Sequence, residues 1–128
     1  MIVAHFHPEN TQADTCLTGH VFVYCEVKKM RRGTTPKHTF TTDIDLSAAE
    51  VLYITYQQDG ETILEKSKED ITVTPDKLEV ELTQEETLAF EEYNDVRVQI
   101  RARFGDGSAV ASNIMEAPAY EILKEGVI

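Results

Sequence analysis

Five side chains near the N-terminus are of the types that bind zinc. They are His5, His7, Cys16, His20 and Cys25. Structural zinc takes imidazole and thiolate ligands, but it usually draws them from closely spaced C-x-x-C or H-x-x-x-H pairs. The sequence has neither spacing, so we predict no metal site and interpret the segment as an unselected or loosely packed extension. Oxidation would let Cys16 and Cys25 close a small loop, but a reducing cytoplasm favours free thiols, and we predict no disulfide.

The residue types of acid–base and nucleophilic catalysis are also present. His38 lies beside Thr39 and Thr41, and the acidic pairs 85–86 and 91–92 follow later in the chain. A catalytic triad needs an orienting acid and an activated nucleophile, and no G-x-S-x-G motif occurs. Favourable charge at a helix start and solubility account for the acidic pairs. We therefore predict a protein that is not an enzyme and uses no cofactor, no metal and no small-molecule substrate, with His38 on a strand at a sheet edge.

A row of polar side chains is the best candidate for a surface that binds a partner. Apolar residues occupy every second position of segment 96–104, and a strand would turn the residues between them to the opposite face. Arginine and aromatic residues are favoured at interfaces. The candidates are Arg97, Gln99, Arg101, Arg103 and Tyr53. The alternative is ordinary surface, in which Glu79 and Glu81 of another strand neutralise the arginines through ion pairs worth about 0.2 to 1 kcal/mol.

Short strands separated by turn residues must position these side chains. Alternation and β-branched content predict strands at residues 38–43, 51–58, 62–66, 71–74, 77–82, 96–104 and 108–115, with a final element at 120–128. Asp59-Gly60 predicts a type I′ hairpin turn, and Thr83 with Glu86 has capping-box spacing. The pattern predicts an all-β fold, an immunoglobulin-like antiparallel β-sandwich of about seven strands with one short corner helix.

The same alternation predicts the core. We expect eight residues to be mostly buried: Leu52, Ile54, Leu78, Val80, Leu82, Val98, Ile100 and Phe104. The register of segment 51–58 has an alternative: Val51 and Tyr53 are also apolar, and in this alternative they face the core in place of Leu52 and Ile54.

Composition and periodicity change at Met30. We predict that residues 30–128 form one β-sandwich domain and that residues 1–29 are an N-terminal extension, either the product of an upstream start codon or a flexible arm. Within the extension, segment 21–27 favours one strand. A chain starting at Met30 is expected to melt within a few degrees of the full chain.

The charge balance narrows the classes of partner. The 128 residues carry a net charge of -11, and residues 59–95 hold 13 acidic residues against 3 lysines. Nucleic-acid phosphates require clustered cations, so direct binding to DNA or RNA is disfavoured. The sequence has no apolar stretch long enough to span a bilayer and no signal-peptide pattern. These features predict synthesis in the cytoplasm.

From Met30 onward the chain resembles small proteins encoded by phages and prophages of Gram-positive bacteria. The residues that carry the resemblance are RGTTPKHTF at 32–40, LTQEET at 82–87, VQIR at 98–101, Leu123, and GVI at 126–128. The family is similar to the first domain of phage baseplate upper proteins, which is an immunoglobulin-type sandwich. The resemblance implies a phage origin and a non-enzymatic role, and it brings no catalytic residues to carry over.

Two functions follow as expectations. The first is a structural or accessory module of a phage or prophage that binds another phage protein or a second copy of itself. It would be made in the bacterial host cytoplasm and associate with the virion, tail or baseplate. The alternative is an acidic inhibitor that occupies the cationic groove of a host defence enzyme that binds nucleic acid, because acidic residues are concentrated in residues 59–95.

Overall fold

The fold is a sandwich of two β-sheets. A computed structural model describes residues 4–8 and 30–128. The strands are β1 (Ala4–Pro8), β2 (Met30–Arg31), β3 (Lys37–Thr42), β4 (Ala49–Gln58), β5 (Glu61–Ser67), β6 (Ile71–Thr74), β7 (Lys77–Glu81), β8 (Asp95–Phe104), β9 (Ala109–Ala111) and β10 (Met115–Tyr120). One helix, α1 (Gln84–Leu88), and a 3₁₀ turn (Lys68–Asp70) complete the described elements. Within the described ranges, no helix is long and apolar enough to cross a membrane.

The two sheets differ in size. The smaller has four strands in the order β1-β3-β7-β6. The larger has six strands in the order β2-β10-β8-β4-β5, with β9 paired to β8 beside β10. Among the strands described, every pairing is antiparallel except that of β2 with β10. The predicted all-β sandwich with one short helix is thus confirmed, although the described chain contains ten strands and the pattern predicted about seven.

The core lies between the sheets and follows the predicted alternation. Seven of the eight predicted core residues are buried, and Phe104 is partly buried. In β4, Leu52 and Ile54 face the core and Tyr53 is exposed. The register with Leu52 and Ile54 inward is therefore the observed one. Tyr56, Phe40 and Phe90 supply the bulk of the aromatic packing. Each such side chain stabilises the fold by about 1.5 to 3 kcal/mol through removal of apolar surface from water.

Local turn and capping signals act as predicted. Asp59 and Gly60 have φ angles of 52° and 76°, the positive values that a type I′ turn requires between β4 and β5. At the start of α1 the Glu86 amide donates to the Thr83 hydroxyl, and the Thr83 amide donates to the Glu86 carboxylate. This capping box lets a helix of five residues form at the corner between β7 and β8.

The end of the chain differs from the prediction. A single return strand over 108–115 was expected, but the chain forms two strands, β9 and β10, with an interruption between them. The interruption follows Ser112, whose hydroxyl accepts a hydrogen bond from the Ile100 amide at 2.9 Å while its own amide donates to the Ile100 carbonyl. The last strand ends at Tyr120, so the predicted final element at 120–128 is wrong: residues 121–128 form no strand or helix.

The N-terminal segment contributes β1 to the smaller sheet. Five residues of β1 pair with β3 from Ala4↔Thr42 to Pro8↔His38. The Ala4 side chain is buried, and its amide donates to Asn113 Oδ1 at 2.8 Å. The predicted strand at 21–27 lies outside the described residues. The division of the chain into residues 1–29 and 30–128 stays a prediction. Because β1 pairs with β3, removal of residues 1–29 would leave one edge of β3 unpaired, and the resulting change in stability can be measured.

Candidate functional site

The candidate site is the outer face of the larger sheet. Along β8 the side chains of Val96, Val98, Ile100 and Ala102 are buried, and those of Arg97, Arg101 and Arg103 are exposed. Gln99 shares the outer face, is partly buried, and donates through Nε2 to the Ser112 carbonyl at 2.9 Å. The four polar residues that the alternation selected therefore do lie on one face, because a flat strand sends every second side chain the same way.

Tyr53 joins this row from the neighbouring strand. In the register between β4 and β8, Tyr53 is directly opposite Arg101, and Val51 is opposite Arg103. The Tyr53 side chain is 40% exposed. Cross-strand neighbours on one face have Cβ atoms about 4.5 to 5.5 Å apart, so the ring and the two guanidinium groups form one continuous surface. We call this surface, formed by Val51, Tyr53, Arg97, Gln99, Arg101 and Arg103, the arginine face.

The arginines of this face have acidic neighbours other than those expected. Glu79 lies on β7 in the opposite sheet, where it pairs with Lys37 and Lys77, so the alternative in which Glu79 and Glu81 neutralise the arginines is wrong. Arg97 instead approaches Glu116 at 3.6 Å, and Arg103 approaches Glu50 at 3.8 Å. Both pairs are solvent-exposed and stabilise the fold by about 0.2 to 1 kcal/mol each.

Arg101 differs from its two neighbours. It lies between them on β8, and among the described residues no carboxylate comes within 4.0 Å of its side-chain nitrogens. Its cross-strand neighbour on β9 is Ala111, a residue with no polar side chain. A guanidinium group without an anionic neighbour keeps its full charge available to an incoming partner.

Two depressions of the arginine face include arginines of β8, and a third, of about 150 Å³, lies between β4 and residues 67–69. The larger of the first two has a volume of about 220 Å³ and is lined by Val51, Tyr53, Arg101, Arg103 and Ala109, with Ala102 beneath. The smaller, of about 60 Å³, lies at the other end of the face and includes Ile114. Ile114 is 46% exposed and was missed in the sequence because it falls in the interruption between β9 and β10, where no periodicity identifies its direction.

His38, the histidine considered in the sequence beside Thr39 and Thr41, lies in the core. The His38 side chain is fully buried, and its Nδ1 lies 2.8 Å from the hydroxyl of Tyr56. Thr39 and Thr41 alternate to the opposite face of β3. Burial lowers the pKa of His38 to about 3, because the charged imidazolium would lose its hydration. The imidazole is thus neutral at physiological pH and belongs to the core.

The predicted position of His38 at a sheet edge is wrong. β3 lies between β1 and β7, so both of its edges are paired. The prediction failed because β1 comes from the N-terminal segment, which the sequence pattern separated from the domain. Burial, and secondarily the charge of Glu86, also raises the pKa of Tyr56. These two side chains form a neutral polar pair inside the core.

A second buried polar contact connects the larger sheet to helix α1. Lys66 lies on the inner side of β5, and its ammonium group is 2.8 Å from the Glu86 carboxylate. The same carboxylate completes the capping box of α1. Burial opposes ionisation of Glu86, but hydrogen bonds from Lys66 and Thr83 outweigh it and lower its pKa. An inward-facing charge on an edge strand disfavours pairing with the edge of another molecule, since the charge must be kept satisfied.

Two of the five zinc-type residues, His5 and His7, belong to β1. Cys16, His20 and Cys25 lie outside the described residues. Within residues 4–8 and 30–128, no group of three or more His, Cys, Asp or Glu side chains is arranged to hold a metal ion. The acidic pairs at 85–86 and 91–92 are divided between α1 and the loop that follows it.

A comparison of the chain with models of protein families finds no match, and a comparison with curated proteins finds no significant similarity.

Proposed function

We propose that this chain is a protein-binding module that acts through the arginine face, and that it serves a phage or prophage as a structural or accessory component. The partner is another phage protein or a second copy of the chain. The arginine face is the observation that carries the proposal, because it gathers three exposed arginines and a partly exposed tyrosine on one sheet of an acidic protein. The phage context rests on the resemblance of residues 30–128 described above.

The composition of the face supports binding to a protein. Arginine and tyrosine are enriched among the residues that contribute most to binding free energy at interfaces. The strands that carry these residues are paired on both sides. β8, with the three arginines, lies between β4 and the β9/β10 pair, and β4, with Tyr53, lies between β8 and β5. A site built on central strands keeps its side chains in place without the entropy cost of ordering a loop.

The strand order supports an immunoglobulin-like topology, which we propose for this sandwich. Immunoglobulin domains place strands A, B, E and D in one sheet, and their variable forms add strand C′ beside C in the sheet of G, F and C. Here the smaller sheet reads β1-β3-β7-β6 and the larger reads β10-β8-β4-β5. Taken in chain order, with β1 as A and β10 as G, these are the orders A-B-E-D and G-F-C-C′. In this frame the arginine face belongs to strands C and F.

The rival function is an acidic inhibitor of a host enzyme that binds nucleic acid. The exposed acidic residues of segment 59–95 belong to both sheets and to α1, and include Glu65 on β5, Glu81 on β7 and Glu85 on α1. A mimic of nucleic acid needs its charges along one surface, so this distribution favours the binding module. Mass spectrometry of purified virions separates the two functions, because a structural module is present in particles and an inhibitor is absent.

The direct test reverses the charge of the face. We expect that replacing Arg97, Arg101 and Arg103 together with Glu leaves the fold intact, since exposed positions usually change stability by about 0.5 kcal/mol or less each. Association with the partner from prophage-induced lysate should be lost, because like charges across an interface cost several kcal/mol. The control replaces Lys37 and Lys77 with Glu on the other sheet and should retain the partner.

Circular dichroism and thermal melting of both variants establish that they are folded. Equal capture of the same partner by the wild-type chain and the triple variant would contradict the proposal. In that case the arginines are ordinary surface, and the acidic residues of segment 59–95 become the next candidates for contact.

A further inference from the structure

The larger depression of the arginine face combines open space with positive charge. Val51 and Tyr53 of β4 form one side, and Arg101 and Arg103 of β8 form the other. The space is open because the residues of β9 that pair with Arg101 and Arg103 are Ala111 and Ala109. Larger side chains at these two positions would cover the guanidinium groups.

Of the two arginines in the depression, Arg103 has a carboxylate neighbour and Arg101 has none among the described residues. Arg103 has Glu50 at 3.8 Å, and both of these side chains are more than half exposed. No carboxylate of the described residues lies within 4.0 Å of Arg101, which is closest to Tyr53 in register. Two other acidic residues near β4 have partners of their own: Glu65 accepts a hydrogen bond from Thr55, and Glu69, which lies near Tyr53 on the side away from Arg101, accepts one from Ser67. Arg101 therefore offers its donors to a ligand.

We propose that this depression binds a carboxylate side chain from an acidic segment of the partner protein, with a neighbouring apolar residue of that segment packed on Tyr53 and Val51. The proposal rests on the proposed function and specifies its partner. The planar guanidinium group matches a carboxylate through two parallel hydrogen bonds. The tyrosine ring and the valine provide the apolar contact that such a segment needs to exclude water.

The balance of charge at the depression favours one class of ligand. The net charge of -11 opposes the approach of an acidic segment in general, so binding depends on the local positive charge of Arg101 and Arg103. Nucleic-acid phosphates are disfavoured here, because they need a long track of cations, whereas Glu50 and Glu116 flank this short row. A single carboxylate needs only the space between Arg101 and Arg103.

The test is an NMR titration of the ¹⁵N-labelled full chain with a synthetic peptide, blocked at both ends, in which glutamates flank a leucine. The matched peptide carries glutamine in place of each glutamate. We expect the acidic peptide to shift the amide signals of Tyr53, Arg101 and Ala109, with half-saturation at about 1 mM.

Two variants locate the contact. Arg101→Gln should weaken binding of the acidic peptide at least about fivefold, which corresponds to about 1 kcal/mol. Arg97→Gln, on the same strand but outside the depression, should change binding by less than about twofold. The amide spectra of the two variants report whether each remains folded.

Three results would overturn the inference: equal shifts with the glutamine peptide, unchanged binding to Arg101→Gln, or no shift at Tyr53 with about 10 mM acidic peptide. Its failure is distinguishable from failure of the proposed function. If the triple arginine variant loses the partner from lysate while the acidic peptide leaves Tyr53 unaffected, the face binds a protein but not through an acidic segment. If capture is also unchanged, both proposals fail.

Discussion

The burial of His38 predicts how the stability of this protein depends on pH. The imidazole is fully buried beside the Tyr56 hydroxyl, and burial lowers its pKa to about 3 from the ordinary value of 6.5. Above pH 6.5 the imidazole is neutral in both the folded and the unfolded chain and contributes no pH dependence. Between pH 6.5 and about 3 the unfolded chain binds a proton at this position and the folded chain does not. Stability is therefore lost as the pH falls through this interval.

The size of the effect follows from the interval. Each pH unit below the unfolded pKa costs about 1.36 kcal/mol, so acidification by two units, to about pH 4.5, removes about 2.7 kcal/mol from the free energy of unfolding. Domains of this size have free energies of unfolding of about 5 to 15 kcal/mol, so one side chain accounts for a measurable fraction.

The assay compares the wild-type chain with His38→Gln in urea unfolding at several values between about pH 7 and about pH 4.5. Carboxylates and the other histidines titrate in both proteins, so their contributions cancel in the difference. Glutamine does not titrate and keeps a polar partner for Tyr56. We expect the wild-type chain to lose about 2.7 kcal/mol more than the variant over this range.

A second variant separates burial from the hydrogen bond. Tyr56→Phe removes the hydroxyl next to His38 but keeps the surrounding ring. It should cost about 1 to 3 kcal/mol at all pH values, because a buried polar group loses its partner, while retaining the wild-type slope with pH. If the gap between the wild-type chain and His38→Gln stays constant within about 0.5 kcal/mol from pH 7 to 4.5, the imidazole is protonated in the folded state and the argument from burial is wrong.

Three further predictions concern stability. Lys66→Ala leaves the partly buried Glu86 carboxylate without its cation, so urea unfolding should show a loss of about 1 to 3 kcal/mol, and an unchanged midpoint would contradict a stabilising contact. Gly33→Ala should lower the melting temperature, because Gly33 has a φ of 71°, where an L side chain is strained. The added Cβ would lie 2.5 Å from Ile122 Cδ1, the end of a side chain that can move aside, so Gly60→Ala, with a φ of 76° and open space around it, should lower the melting temperature by nearly as much. A chain starting at Met30 lacks β1 and exposes one edge of β3, but it keeps all described core residues except Ala4. Calorimetry of this chain should therefore show cooperative unfolding, with a melting temperature lower than that of the full chain by less than about 10 °C. Loss of cooperative unfolding in that chain would show that the N-terminal segment is an integral part of the domain.

The sequence by itself determined the local features of this protein. Alternation in segment 96–104 identified which side chains of β8 face the core and which form the outer row. Asp59-Gly60 and Thr83 with Glu86 identified a turn and a helix start, because each depends on backbone angles or hydrogen bonds within four residues. The candidate residues of the arginine face were found in this way, because alternation along a single strand determines which of its side chains share a face.

The tertiary structure alone decided which strands are neighbours. It placed Glu79 in the opposite sheet from the arginines and brought Glu50 and Glu116 to them instead. It also placed His38 between β1 and β7, and it set Arg101 opposite Tyr53 beside two small alanines. Period-two alternation tells which face a side chain takes but carries no information about the strand beside it. Neighbours in a sheet come from distant parts of the chain and are selected by the packing of the whole core, so the environment of the arginine face emerges only in the folded sandwich.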